Sequence, residues 1–161
     1  MRGTMDTAMK KPTNGMRISE GLGKVATGML ELDTPGNGHV SGITDKVADL
    51  LRSSGLTAGT VTVFVPGATG AVTTLEFEPG VVHDLQSLLD AIIPPAAHYA
   101  HNDNLGDGNG HSHVRAGLLG PSLVVPFAEG RLTLGRYQEI VFCDFDARPR
   151  SRRLVVQITG V

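Results

Sequence analysis

Short β-branched runs, separated by turn residues, constrain this sequence more than any other feature. The clearest run is 60–65, Thr-Val-Thr-Val-Phe-Val, which alternates in polarity and stops at Pro66 and Gly67. β-branched residues favour strands, and alternation is typical of a strand with one buried face. Comparable or weaker runs lie at 16–20, 27–33, 72–77, 123–127, 131–134, 139–145 and 154–158. Because these runs follow one another closely, they predict a largely antiparallel sheet.

The order of the last four runs predicts local pairing. Residues 123–127 and 131–134 flank Glu129 and Gly130, and this arrangement indicates a hairpin. Residues 139–145 and 154–158 are predicted as two further antiparallel strands across an arginine-rich turn.

Two segments predict helices instead. Residues 44–51 place Val47, Leu50 and Leu51 at helical spacing, with Thr44 as a cap and Gly55 as the end of the helix. A second helix is predicted from Pro79 to the stop at 94–95, where two prolines follow each other. Its apolar face is formed by Val82, Leu85, Leu88, Leu89 and Ile92.

These elements together predict an α+β fold in which two main helices cover one face of a largely antiparallel sheet. The other face is apolar as well, and we expect a partner subunit to cover it. The positions that need this cover are Val124, Val125, Val141, Phe142, Val155 and Val156.

Length and charge limit the class of protein. The 161 residues suit one domain, predicted at 16–161 after a flexible polar tail at 1–15. A net charge of −2 gives no general attraction to nucleic acid. No segment resembles a signal peptide or a membrane span, and Cys143 is the single cysteine. These features predict a cytoplasmic protein without a disulfide or a membrane partner.

Residues 98–113 are polar and glycine-rich, and they are predicted as a long loop with four histidines. Imidazole is a common protein ligand for zinc and similar metals. His101, His111 and His113, with Asp103 or Asp107 as an oxygen ligand, therefore form a candidate site for zinc or another divalent metal.

The backbone around His111 and His113 decides whether both can bind one ion. On an extended backbone their side chains share one face, whereas on a helix they point about 200° apart. Residues 114–119 are interpreted as a short helix opened by Asn109, so the pair falls at the helix start and both geometries stay open. The alternative is that these histidines bond only to backbone or water. We interpret the remaining three, His39, His83 and His98, as surface residues.

Carboxylates and arginines supply further candidates. Glu76 and Glu78 lie at strand spacing before the second predicted helix, so Glu76 is a candidate base and helix capping is the alternative. The turn 146–153 contains four arginines, which suit phosphate, although a solvated turn is the more common explanation. Nothing in the neighbouring sequence would lower the pKa of Cys143, which argues against a nucleophile.

Several motifs resemble, in order, those of the YjbQ-like family (UPF0047). They are Glu76-Phe77-Glu78-Pro79-Gly80, Tyr99-Ala100-His101-Asn102, His111-Ser112-His113, Leu118-Leu119-Gly120-Pro121-Ser122, Pro126, Gly130-Arg131-Leu132, Leu134-Gly135, Tyr137-Gln138, Phe142-Cys143-Asp144-Phe145-Asp146 and Gln157-Ile158-Thr159-Gly160. The resemblance covers residues 16–161 without large gaps. It implies an α+β subunit that forms a homotrimer with its sheets packed around the threefold axis.

The resemblance also implies a polar site near a subunit boundary. The matching catalytic positions are Glu76, His111 and His113, and the metal positions are His101, His111 and His113. The positions for a phosphorylated substrate are Thr69, Asn109, Ser122 and Arg150. Family members are often described as secondary thiamine-phosphate synthases, which are transferases that join a pyrimidine diphosphate to a thiazole phosphate and release pyrophosphate.

The chain departs from the family pattern at three places. Many relatives have His-Thr-Thr where this chain has Gly67-Ala68-Thr69, Asn where it has Leu75, and Trp where it has Tyr137. One potential ligand or acid–base group is therefore missing. Two hypotheses stay open: an enzyme acting on a small phosphorylated molecule, and a non-catalytic trimeric protein that binds a metal or an anion.

Overall fold

A computed structural model describes residues 21–161. The predicted tail at 1–15 and the predicted strand at 16–20 lie outside the described residues. In chain order the elements are β1 (Lys24–Thr34), β2 (His39–Gly42), α1 (Thr44–Ser54), β3 (Ala58–Phe64), β4 (Gly70–Leu75), α2 (Pro79–Ile92), α3 (Ala100–Leu105), α4 (Gly110–Leu119), β5 (Ser122–Ala128), β6 (Arg131–Leu132), β7 (Glu139–Asp144) and β8 (Arg150–Gly160).

The strands form two antiparallel sheets. The five-stranded sheet has the order β1-β8-β3-β5-β6, and the three-stranded sheet has the order β2-β7-β4. The α+β class, the antiparallel pairing and the β5–β6 hairpin are as predicted. Strands β7 and β8, however, do not share a sheet, although they follow each other in sequence. Arginines 150, 152 and 153 lie in β8 itself, so the second half of the predicted arginine-rich turn at 146–153 is strand.

Strand β7 is buried on both faces, and this places the helices. Ile140 and Phe142 face a core between the two sheets, to which α1 contributes Val47 and Leu51. The alternate residues of β7 face a second core that α2 and α4 cover; it contains Val40, Ala71, Leu89, Ile93, Ala116, Val141, Cys143 and Phe145. The prediction that both main helices lie on one face is therefore wrong, because two apolar faces each need their own cover.

Burial by α2 and α4 also changes the expectation for the uncovered sheet face. Of the six positions predicted to need cover, four are buried within one chain and need no partner, namely Val125, Val141, Phe142 and Val156. The outer face of the five-stranded sheet does expose large apolar side chains, namely Val25, Met29, Phe64 and Val124. A partner subunit on this face stays a prediction.

The thiol of Cys143 is fully buried, and burial raises its pKa to about 12.

The helix ends differ from the prediction in one detail. The N-cap of α1 is Ile43, and Thr44 instead uses its hydroxyl to accept a 2.8 Å hydrogen bond from the Ile140 backbone nitrogen. Helix α2 begins at Pro79 as predicted, and the Glu78 carboxylate accepts bonds from the first two free backbone N–H groups. Among the residues of 21–161, no helix has the length and apolar character to cross a membrane.

A buried set of ion pairs joins the two sheets at one end. Arg152 of β8 donates from Nε and Nη2 to both carboxylate oxygens of Asp144 in β7, at 2.8 and 2.6 Å. Thr34 of β1 also donates to Asp144, and Arg150 donates to Asp146 at 2.8 Å. We call Asp144, Asp146, Arg150 and Arg152 the sheet junction. It connects strands that share no backbone hydrogen bonds.

Opposing effects act on the pKa of Asp146. Burial alone would raise this pKa, but the hydrogen bond and charge of Arg150, together with Arg152 and Thr69, hold it below the ordinary 3.8. A carboxyl whose pKa is depressed by folding stabilises the folded state above its ordinary pKa. That contribution is lost as the pH falls from 3.8 through the lower folded value.

Asp144→Asn tests the sheet junction. The substitution removes the carboxylate that the Arg152 guanidinium bonds at 2.6 and 2.8 Å, and leaves this 12% exposed side chain only the more distant carboxylate of Asp146 at 3.5 Å. We expect the free energy of unfolding in urea to fall by about 3–5 kcal/mol. Glu31→Gln is the matched control, because Glu31 pairs with Arg153 at the exposed surface and should lose about 1 kcal/mol or less. Equal losses in the two variants would contradict this assignment.

Candidate functional site

The predicted loop at 98–113 contains two helical segments. Helix α3 occupies Ala100–Leu105 and ends at Gly106, whose φ of 68° is in the left-handed region that favours glycine. Helix α4 begins at Gly110, earlier than predicted, so both His111 and His113 are helical. The prediction of a long loop is therefore wrong over these residues. The prediction rested on the many glycine and asparagine residues in this segment, which favour turns. In the folded chain, contacts between α3 and α4 stabilise the helical conformation in spite of these residues.

Close contact between α3 and α4 fixes this region. The Asn102 side-chain oxygen accepts a 2.9 Å hydrogen bond from the Gly110 backbone nitrogen. A Cβ atom at Gly110 would lie only 2.5 Å from the Tyr99 Cβ, so the position has room for glycine alone. Tyr99 is held in turn by its hydroxyl, which donates to the Pro94 carbonyl at 2.8 Å. The docking brings the side chains of α3 against the first turn of α4.

Four polar side chains meet at this contact, and we call His101, Asp107, Asn109 and His113 the histidine cluster. The two imidazole rings lie 4.3 Å apart between centroids. The His101 Nε2 atom is 3.2 Å from the Asp107 Oδ1 atom. Asn109 is buried between them, with 9% of its surface exposed, while the His101 side chain is 29% exposed. The cluster is thus shielded but still reachable from solvent.

One end of the Asn109 side-chain amide faces all three partners. The atom at this end lies 3.0 and 3.2 Å from the Asp107 carboxylate oxygens, 3.0 Å from His101 Nε2 and 3.3 Å from His113 Nε2, and we assign it as the nitrogen because an oxygen there would face the Asp107 acceptors. Two nitrogen atoms and a carboxylate therefore surround one point. Such atoms exchange protons or bind metal ions.

His111 does not join the cluster. It is buried beside the Tyr99 ring at 6.3 Å between centroids, and its Nδ1 atom has no hydrogen-bond partner among the described residues. Burial lowers the pKa of His111, the nearby Arg115 charge lowers it further, and Asp90 partly opposes both. The helical spacing thus turns His111 away from His113, which is the second of the two predicted geometries.

The predicted metal set does not assemble in this chain. Within the part of the chain that the structure describes, no three His, Cys, Asp or Glu side chains are grouped so that they could hold a metal ion. His101 and His113 come together with Asp107, while His111 stays apart. Any metal in the cluster would also have to displace the Asn109 amide.

The other predicted site residues lie elsewhere in the chain. Glu76 is exposed and lines an open pocket of about 410 Å³ with Arg136, Tyr137 and Gln138. Ser122 is exposed at the start of β5. Thr69 and Arg150 belong to the sheet junction or bond to it. In residues 21–161, no hydrogen bond or ion pair joins these four residues to the histidine cluster.

Sequence reasoning missed Arg115. Its guanidinium is buried, donates to the Ile93 and Leu89 carbonyls and pairs with Asp90 at 2.7 Å. It thereby satisfies carbonyls at the C-terminal end of α2 and ties this helix to α4. A charged residue among the apolar positions of a short helix was the signal available in the sequence.

The remaining histidines are on the surface, as interpreted. His39 and His83 are exposed, and His83 lies 3.4 Å from the Ser87 hydroxyl. His98 forms an exposed pair with Asp103 at 2.9 Å. These contacts are local and involve no buried partner.

Comparison with known proteins now decides the family. Residues 28–161 match the sequence pattern described as "UPF0047 protein YjbQ-like". The chain belongs to the YjbQ-like family. A UPF0047 protein of Methanothermobacter thermautotrophicus is 38% identical over 137 residues, 85% of this chain and 94% of that protein. The UPF0047 protein YugU of Bacillus subtilis is 31% identical over 133 residues, 81% of this chain and 97% of that protein.

Solved structures agree with this assignment to the YjbQ-like family. A YbjQ-like protein of unknown function from Sulfolobus solfataricus superposes with a TM-score of 0.82 at 30% identity, over 87% of this chain and all of that one. An uncharacterised YjbQ/UPF0047 protein from Clostridium acetobutylicum gives 0.75 at 34% identity, over 81% and 98%. The antiparallel α+β fold is thereby confirmed. The family is one of uncharacterised function, and these names assign no reaction.

Two glycines of α4 test how the cluster is positioned. Gly110→Ala would force a Cβ against Tyr99, and we expect a loss of about 1–3 kcal/mol from overpacking. Gly117→Ala is the matched control, because a Cβ there meets nothing within 4 Å and alanine favours the helix by up to about 1 kcal/mol. Thermal unfolding of both variants measures the difference. A Gly110→Ala protein as stable as Gly117→Ala would show that the contact does not restrict docking.

Proposed function

We propose that this YjbQ-like protein is an enzyme that acts on a small phosphorylated substrate, with the histidine cluster as its acid–base centre. The observation that carries the proposal is the convergence of His101, His113 and Asp107 on one shielded point. Imidazole is the side chain that most readily gives and takes protons near neutral pH. A positioned imidazole of this kind typically accelerates a reaction by about 100- to 10,000-fold.

The phosphate would be held by groups outside the cluster. Arg150 bonds Asp146 through Nε, and its side chain is 38% exposed; among the described residues its two terminal nitrogens have no hydrogen-bond partner, so they would be the donors for an oxyanion. Ser122 offers an exposed hydroxyl. The hydroxyl of Thr69 already bonds Arg152 and Asp146, so Thr69 would support the site through these partners. Glu76 would act as a base from its open pocket.

A homotrimer would bring these separated groups together. Within residues 21–161, no hydrogen bond or ion pair links Glu76, Ser122 or the sheet junction to the histidine cluster, whereas a subunit boundary can combine residues of two copies. The outer face of the five-stranded sheet exposes the apolar side chains that such packing around a threefold axis would cover. The buried single thiol suits the reducing cytoplasm, which is where we place the protein.

The specific reaction that we propose is thiamine-phosphate synthesis from a pyrimidine diphosphate and a thiazole phosphate. In this transferase reaction the pyrimidine methylene carbon forms a bond to the thiazole nitrogen while its bond to the diphosphate oxygen breaks, and pyrophosphate leaves. Arg150 would stabilise the departing negative charge. His113 would donate a proton to the pyrophosphate oxygen as it leaves.

A second candidate is a non-catalytic trimer that binds a metal ion or an anion. Two imidazoles and a carboxylate are a donor set that suits zinc or another divalent metal. His101, Asp107 and His113 would become its ligands only after their side chains move and the Asn109 amide is displaced, because the described residues hold no preformed group of three. Gly67, at a position where relatives have histidine, also favours a changed or lost reaction. A metal bound there would act as a Lewis acid or would serve only to order the loop.

Synthase activity tests the first candidate directly. Tag-free protein is incubated with the pyrimidine diphosphate and the thiazole phosphate, and thiamine phosphate is quantified. We expect His113→Gln to reduce kcat by about 100- to 10,000-fold, because it removes a proton-exchanging nitrogen from the cluster. His83→Gln is the control, since His83 is exposed and bonds only to Ser87. Absence of product, or equal rates in both variants, would remove the synthase proposal.

Native mass spectrometry detects bound metal, which distinguishes the enzyme from the metal-binding protein, and gives the number of chains in the assembly. We expect the mass of three chains from tag-free protein. A transition metal that is bound in the wild type and lost in His101→Gln would support the metal-binding candidate. A metal-free trimer with activity would support the acid–base enzyme, and a monomer at micromolar concentration would contradict the trimer.

A further inference from the structure

A cavity of about 490 Å³ lies between α1 and the part of the chain that follows β5. Its walls are formed by α1, by residues around the β5–β6 turn, and by residues that lead into β7. Pockets that bind small molecules typically have volumes of about 300–1,000 Å³. Within residues 21–161, its lining includes no member of the histidine cluster or of the sheet junction, and it does not include Glu76. We call this space the α1 cavity.

Four apolar side chains line the α1 cavity, and the core of the protein fixes their positions. They are Ala48, Leu51, Leu132 and Leu134. Leu51 is buried in the core between the two sheets, and Leu132 and Leu134 pack against that core. The cavity therefore offers apolar surface for the body of a ligand, as small-molecule pockets commonly do.

Hydrogen bonds hold the walls of the α1 cavity in place without a ligand. The Thr44 hydroxyl accepts from the Ile140 backbone nitrogen at 2.8 Å, which ties the start of α1 to β7. The Gln138 side chain accepts from the Gly135 backbone nitrogen at 3.1 Å and donates to the Thr74 hydroxyl at 3.0 Å. These bonds fix the turn before β7. A preformed pocket loses little conformational entropy when it binds a ligand.

Two opposite charges line the α1 cavity without partners. Arg131 is exposed at the start of β6, and Glu139 is half-buried at the start of β7. Among the described residues, neither side chain forms a hydrogen bond or an ion pair, so the two charged groups are not in contact with each other. A ligand that presents a negative group to Arg131 and a positive group to Glu139 satisfies both charges.

The other charged residues that line the α1 cavity have interactions of their own. Arg52 pairs with Asp49, and the Arg136 guanidinium lies over the Tyr137 ring at 5.2 Å from its centroid. Glu129 also has an interaction partner. The separated arginine and glutamate at the starts of β6 and β7 are therefore the charges left for a ligand.

We propose that the α1 cavity binds a free amino acid with an apolar side chain. Arg131 holds its carboxylate through the two parallel hydrogen bonds that a guanidinium can donate, and Glu139 holds its ammonium group. Leu132 and Leu134 contact its side chain. A simple carboxylate would leave Glu139 unpaired, and a simple amine would leave Arg131 unpaired, so the charge arrangement selects the zwitterion. The inference goes beyond the proposed function and does not depend on it.

NMR titration of the full-length protein with L-leucine tests this proposal. We expect saturable shifts of the backbone amide signals of α1 and of residues 131–139. Isocaproate lacks the ammonium group of leucine and isoamylamine lacks its carboxylate, so we expect each to bind at least about tenfold more weakly. The proposal is overturned if L-leucine causes no saturable shift in these signals, or if either analogue binds as tightly as L-leucine.

Substitution of each charge tests its role separately. Arg131→Gln removes the cation, and Glu139→Gln removes the anion with little change of shape. We expect each variant to bind L-leucine about tenfold more weakly or worse. Arg153→Gln is the matched control, because Arg153 is an exposed arginine that pairs with Glu31 and does not line the cavity. Unchanged leucine binding in either folded variant, or an equal loss in the control, would contradict the assignment.

Discussion

The burial of β7 on both faces is the constraint on which the rest of the structure depends. Its alternate residues supply two separate cores, with Ile140 and Phe142 on one side and Val141 and Cys143 on the other. Each face is stable only when it is covered, so the five-stranded sheet with α1 must lie on one side and α2 with α4 on the other. Helix α4 is therefore held by the second core, and its first turn carries His113 of the histidine cluster.

The arginines of the sheet junction and of the second core differ in how far they are buried. The Arg152 guanidinium donates hydrogen bonds to Asp144, and the Arg115 guanidinium donates to the Ile93 carbonyl at the end of α2. Removing either charge from water is costly, and the cost is offset only because several hydrogen bonds compensate it. Arg150 remains more exposed, and within residues 21–161 only its Nε atom forms a hydrogen bond. Sequence alone treats these arginines as equivalent, but burial separates those that build the fold from one that can meet a ligand.

The hydrophobic periodicity of the sequence predicted individual helices and strands. It could not predict which of these elements contact each other when they are distant in sequence. The segments of α1, α2, β3 and β5 carry their own helical or alternating pattern, so their existence followed from the residues. The separation of β7 from β8 depends on which strands pair, and no local pattern encodes it. Likewise, the cluster residues were recognised by type, but the divergence of His111 from His113 depends on α4 beginning at Gly110. That start is set by the contact with Tyr99, a neighbour in space.

Helix α3 spans Ala100–Leu105 and is too short to be stable by itself, since isolated helices of fewer than about 12 residues are marginal in water. It persists through a few bonds to α4 and carries His101 with it. Local opening of such a segment costs less free energy than global unfolding. Warming would thus disconnect the two imidazoles while both sheets stay intact. The upper temperature for any chemistry at this point would be set by the attachment of α3 to α4 rather than by the melting of the sheets.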